Sequence, residues 1–224
     1  MNEGVVLAVE NLHRVYEQAE SKLHVLHGVS FNVNAGEMVA LMGQSGSGKS
    51  TLLSVLLGSL EPSSGWLLVN GVDSASLALP AHVAWCPQEA HLFDSTIRAN
   101  LLLGRPKDDR PTDDELVEAM HAAGLASLLA RLPEGLEARI GSQGSSLSGG
   151  ERQRLAVART LLSRADIILL DEPTAHLDEQ TAHELIADLR VAFEDRIVVL
   201  VTHHADDRIP GDARLALGGH VVYS

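Results

Sequence analysis

The stretch "ALMGQSGSGKSTLLSVLLGSL", residues 40 to 60, most narrows what this chain can fold into. An apolar run suited to a buried strand leads into a glycine-rich loop, and a leucine-spaced helix follows until Gly58. Gly43, Gly48, Lys49 and Ser50 fit the spacing G-x-x-x-x-G-K-[ST], with Gln44, Ser45, Gly46 and Ser47 filling the loop. Such a loop suits phosphate, because glycines let backbone N–H groups converge without a Cβ in the way. Lys49 would neutralise β- and γ-phosphate oxygens, Ser50 would offer its hydroxyl to Mg²⁺, and Thr51 would reach the α-phosphate. A glycine-rich turn with an incidental lysine is the bland alternative. The match at every constrained position, between a strand and a helix, weighs against it.

The rest of the chain supplies the sheet that such a loop requires. "VVLAVENL", "VLHGVSFNV", "GEMVALMG" and "GWLLVNG" read as strands punctuated by Gly and Asn. Between about Thr96 and Ser145 helix signals dominate, and "TDDELVEAMHAAGLASLLARL" reads as a helix capped by Thr112 with acids in its first turn. The last third runs strand, helix, strand: "DIILLDEP", "DEQTAHELIADLRVAF" and "RIVVLVTHH". Alternation of this kind implies parallel pairing with right-handed crossovers. The expected fold is α/β: a P-loop NTPase core with a mixed sheet, an N-terminal antiparallel β layer and an inserted α-helical subdomain. One domain over residues 1–224 is expected, with the helical subdomain at about 90–150.

Composition removes several classes. The formal charge of −13 and pI near 5.2 argue against a nucleic-acid-binding surface, though one local basic pocket remains compatible with a nucleotide. Cys86 is the sole cysteine, so no intrachain disulfide or cysteine zinc cluster can form. No run approaches the roughly 18 apolar residues of a membrane span, and the acidic start "MNEGVVLAVENLH" is no signal peptide. The isolated chain is expected to be soluble.

Further candidates lie along the chain. Asp171 and Glu172 end the apolar strand "ADIILLDEP", where ligands collect in open α/β sheets. Strand alternation would point them to opposite sides, Asp171 toward the Mg²⁺ shell and Glu172 toward the attacking water. Gln88, in "AWCPQEAHLF", could touch Mg²⁺ and that water; His203, ending "RIVVLVT", could bond the γ-phosphate. Ser148, Gly149 and Gly150, in "GSSLSGGERQRLAVARTLL", open a helix whose free N–H groups form a second phosphate-gripping start. This start carries no lysine.

Taken together the chain resembles, over nearly its whole length, the nucleotide-binding domain of ATP-binding cassette (ABC) transporters. The elements stand in that family's order: the P-loop "GQSGSGKST", the Q-loop Gln88, the signature "LSGGE" from Leu147 to Glu151, the Walker B run "IILLDE", the D-loop "AHLD" and the switch histidine His203. Tyr16, in "HRVYEQ", stands where the family stacks an aromatic on adenine. The resemblance implies an ATPase using ATP and Mg²⁺, with Ser50, Gln88 and Asp171 toward the metal and Glu172, Gln88 and His203 in catalysis. It also implies head-to-tail pairing of two such domains on ATP, each giving Ser148, Gly149 and Gly150 to the γ-phosphate held by the other's P-loop. Asp178 would communicate with the opposite site. His176 stands where small D-loop residues are common in the family, and His204 is expected to have no catalytic role.

"HLFDSTIRANLLLG" and "GLEARIGSQGSSL" look like the exporter branch, and "DEPTAHLD" is similar to bacterial subunits exporting thiols, such as cysteine or glutathione, for cytochrome oxidase assembly. The implied partners are a second nucleotide-binding domain, identical or different, and membrane-spanning domains, with no nucleic acid. The implied location is the cytoplasmic face of the inner membrane. Tyr16 so soon after Met1, and an end soon after "LALGGHVVYS", favour an excised domain over a separate natural subunit. Soluble ABC ATPases of DNA maintenance or translation are the rival reading. Those insert long coiled coils or carry two cassettes with a basic linker, and neither feature is present. A P-loop kinase would have no use for LSGGE.

Overall fold

The computed structural model describes residues 5–18, 21–175, 177–202, 213–217 and 222–223. It divides into two compact units, Met1–Trp85 with Ala165–Leu169 and Glu194–Ser224, and Cys86–Arg164 with Leu170–Phe193.

The first unit holds two sheets. The first is antiparallel and contains β1 (Val5–Gln18), β2 (Ser21–Asn34), β4 (Ser64–Val69) and β5 (Val72–Asp73), in the order β2-β1-β4-β5. It realises the expected N-terminal layer. Leu7 and Val9 of β1, with Leu67 and Val69 of β4, bury one face, the one-sided pattern typical of such sheets. The pairing of β1 with β2 shifts register between Val9 and Leu12, where Asn11 adopts φ 46. The second sheet contains β3 (Met38–Met42), β6 (Val83–Cys86), β7 (Ile167–Asp171), β8 (Ile197–Val201), β9 (Ala213–Ala216) and β10 (Val222–Tyr223), in the order β10-β9-β3-β8-β7-β6. Central β3 runs parallel to both β8 and β9, while β9 and β10 are antiparallel, so the sheet is mixed. Strands such as "IVVLV" are apolar without alternation because both faces are covered.

Helix α1 (Lys49–Leu56) follows β3. Its Leu52, Leu53, Val55 and Leu56 join Leu7, Leu26, Leu41 and Val199 in one core. Each such side chain contributes about 1.5–3 kcal/mol of burial. The core therefore anchors the P-loop at both ends.

The second unit is largely helical: α2 (Ile97–Leu101), α3 (Asp113–Ala122), α4 (Ala126–Arg131), α5 (Gly149–Leu161) and α6 (Glu179–Ala192). Thr112 caps α3 as expected, its hydroxyl accepting from Glu115 N while the Glu115 carboxylate accepts from Thr112 N at 2.8 Å. The run from Thr112 to Leu132, which reads as one helix, is broken at Gly124. That residue sits at φ 70, and a Cβ there would lie 2.4 Å from Arg154 Nη1. Arg154 donates to the Gly124 carbonyl at 3.0 Å. The break is itself a local glycine stop, with Leu125 N donating to the Met120 carbonyl at 2.8 Å and Gly124 N to the His121 carbonyl at 2.9 Å, and Arg154 of α5 fills the space beside it.

Candidate functional site

The P-loop's geometry suits an anion. Lys49, only 8% exposed, donates from Nζ to the carbonyls of Gly43 at 2.5 Å and Gln44 at 3.1 Å. An ammonium has three donors, so one remains for a phosphate oxygen. Gly48 caps α1 at φ 97 with no side-chain hydrogen bond, and no acid stands in the first turn. The start of α1 therefore presents unpaired N–H groups and the positive end of its dipole. Ser47 Oγ is buried without a hydrogen-bond partner. Gly43 is required at the other end of the loop, since a Cβ there would sit 2.4 Å from that hydroxyl. Gly46, at φ 82, has open space where a side chain would be, and Gln44, Ser45 and Ser50 are exposed beside it. Thr51 is half-buried in the first turn of α1. An orphaned hydroxyl, a buried cation with a spare donor and an uncapped helix start all fit a polyphosphate.

In the second unit Gln88 and Glu172 come together. Gln88 Nε2 donates to Glu172 Oε2 at 2.8 Å. Asp171 is the last residue of β7, but Glu172 lies beyond it at φ 48, and its carbonyl accepts from Ala175 N at 3.0 Å. The alternation expected for the pair stops at Asp171, because a turn rather than strand geometry aims Glu172. Sparsely populated backbone of this kind persists where the surroundings enforce it.

Gln153, which sequence reading missed, is buried on α5 and donates to the Pro87 carbonyl at 3.2 Å, fixing the base of the loop that carries Gln88. The available signal was a polar residue on the apolar stripe of "RQRLAVART". Asn100 was missed likewise: buried, it accepts from Phe93 N at 2.8 Å and donates to the carbonyls of Phe93 and Thr96.

The signature turn is formed as a capped helix start. Ser148 Oγ accepts from Glu151 N at 3.2 Å, and the Glu151 carboxylate accepts from Ser148 N at 2.8 Å and from Arg131 at 2.7 Å. Burial pushes the Glu151 carboxyl up, but the Ser148 N–H and Arg131 outweigh it and leave it below the usual range. Ser148 and Gly149 are exposed, and the Ser148 hydroxyl proton remains free of the capping role. Gly150 packs on the D-loop, where a Cβ would meet Leu177 Cδ2 at 2.9 Å. Asp178 caps α6 by accepting from Thr181 N at 3.0 Å, a bond that holds its carboxyl below the usual range.

Tyr16 lies half-buried on β1 of the first unit, with the Arg14 guanidinium 4.7 Å from its ring centroid. One face of the ring is thus taken, and a stacking base would use the other. His176, His203 and His204 lie outside the described residues.

The family model described as ABC transporter matches residues 26–175. This chain belongs to the ABC transporter family. It is 42% identical over 181 residues to the ATP-dependent lipid A-core flippase of Chromobacterium violaceum, covering 80% of this chain and 30% of that protein. To the glutathione/L-cysteine transport system protein CydC of Bacillus subtilis it is 39% identical over 184 residues, 81% of this chain and 32% of that one. A solved structure of a bacterial Atm1-family ABC exporter with ATP bound superposes with a TM-score of 0.84 at 34% identity, covering 97% of this chain and 37% of that chain. The ABC fold and the exporter resemblance expected from the motifs are both borne out. The chain spans about a third of the length of these relatives. Among the described residues no helix is long and apolar enough to cross a membrane.

Proposed function

We propose that this chain is the ATP-hydrolysing part of an exporter, pairing on ATP with a second copy of its fold and driving membrane-spanning domains at the cytoplasmic face of the inner membrane. The uncapped start of α1, with Lys49 and the orphaned Ser47 hydroxyl, carries the reading. Gly43 to Thr51 hold the phosphates, and Tyr16 offers a ring face to the base.

Mg²⁺, held by Ser50, Gln88 and Asp171, would supply charge neutralisation at the phosphates. Glu172 orients and polarises the attacking water, Gln88 fixes the Glu172 carboxylate, and His203 bonds the γ-phosphate. Catalysis is then positioning and electrostatics around a loose phosphoryl transfer.

The exposed Ser148–Gly149 turn, self-capped yet retaining a hydroxyl donor, suits delivery to the γ-phosphate of the partner's ATP. Such a bond exists only while that phosphate spans both chains, so pairing would last from binding to hydrolysis. Asp178 would signal to the opposite site. For cargo, similarity to the Bacillus subtilis glutathione/L-cysteine protein supports a thiol.

Phosphate release from Mg-ATP without an acceptor tests the catalytic reading. Steady release, lost in Lys49→Ala, is expected; silence without an acceptor would point to a kinase and overturn it.

A further inference from the structure

Three histidines that have no role assigned above gather on the β1–β2 ribbon of the first unit. His13 Nδ1 lies 3.0 Å from His24 Nε2, and the His24 and His27 rings stand 4.0 Å apart at 38°. The tautomers follow from the partners. Asn11 Oδ1 can only accept, so the His13 Nε2–H donates to it at 3.2 Å. His13 Nδ1 is therefore the lone-pair nitrogen facing His24. Gly28, at φ 72, makes room for this arrangement: a Cβ there would meet Asn11 Oδ1 at 2.9 Å and His13 Nε2 at 3.2 Å.

We propose that His13 Nδ1 and His24 Nε2 form a two-nitrogen clamp for a divalent transition metal, with Asn11 holding the His13 ring and His27 buttressing the His24 ring. A 3.0 Å separation subtends roughly a right angle at a metal about 2.0–2.1 Å from each nitrogen. That angle suits Cu²⁺ or Ni²⁺ better than tetrahedral Zn²⁺. The His13–Asn11 bond is the outer-shell contact that usually orients a ligating imidazole. His24 is exposed, so its ring can turn its nitrogen from donor to ligand as the proton leaves to solvent. Among the described residues no group of three or more His, Cys, Asp or Glu could hold a metal. The clamp thus gives two protein ligands and leaves the other positions to water. His24 and His27 also line a groove of about 920 Å³ that includes Gly46 and Ser47, giving a bound metal open access.

The test is titration of the nucleotide-free chain with Cu²⁺ alone, read by calorimetry and electron paramagnetic resonance. Two imidazole nitrogens are expected at the tight site. His24→Ala, at an exposed position, should keep its melting temperature, lose one coupled nitrogen and bind at least about tenfold more weakly. His183→Ala, on α6, should change neither. Unchanged nitrogen count and affinity in His24→Ala would overturn the proposal, as would loss of the signal in His183→Ala.

Discussion

Gln88 donates its amide hydrogen to Glu172 Oε2 at 2.8 Å, although the two residues stand 84 positions apart. Each end is held separately, Gln88 through the Gln153 bond to Pro87 and Glu172 by a turn that places it at φ 48. A carboxylate fixed in this way keeps its orientation without reorganising when water attacks.

Replacing Glu172 with Gln should preserve ATP binding and lower turnover by about 10²- to 10⁴-fold. The variant should accumulate as a dimer in Mg-ATP, which light scattering with and without nucleotide would reveal. Undiminished phosphate release would remove Glu172 from its role.

Gln88→Ala leaves Glu172 in place but removes its 2.8 Å partner. Turnover should fall about ten- to a hundredfold while ATP affinity changes little. A large loss of equilibrium ATP binding, measured with a fluorescent analogue, would assign Gln88 to ground-state binding instead.

Gly149→Asp separates stability from function. A Cβ there meets only Arg152 Nη2, at 3.8 Å, and an acid in the first turn favours the helix dipole. The melting temperature should hold or rise slightly while hydrolysis stops, and single-chain ATP affinity should persist. Collapse of that affinity would mean both glycine turns serve one chain.

Acid should destabilise the second unit. The Asp113 carboxyl is held low by Arg98, and Glu115 by the Thr112 N–H and then Arg105. Glu151 is also held low, its hydrogen bonds outweighing burial, and Asp178 by the Thr181 N–H. Because folding depresses these values, the stabilisation is complete above the unfolded carboxylate range, about 3.9–4.3, and disappears as pH falls through the lower folded values. Melting temperature should decline steeply below that range, and Arg98→Met should flatten the decline. A flat profile in the parent chain would refute the linkage.

Cys86 is fully buried, and burial pushes its thiol up to about 12. Since the thiolate is the reactive form, the folded protein should resist thiol reagents at neutral pH and react at once when denatured. Rapid labelling of the native chain, timed by mass spectrometry, would contradict this environment.

The sequence alone determined the features that depend on neighbours along the chain. The strand–loop–helix context of Gly43 to Thr51, the capped start at Thr112, the helix start at Ser148 to Gly150 and the unbroken apolar strands are local, because helix and strand periodicities and caps act within a few residues. Tertiary structure decided what depends on distant partners. Glu172 leaves the strand in a turn, Arg154 occupies the space beside Gly124, Gln153 anchors the Gln88 loop, and His13 meets His24 across a ribbon whose register shifts. Those pairings follow from long-range packing and from which polar groups burial leaves to be satisfied, and no local period encodes them.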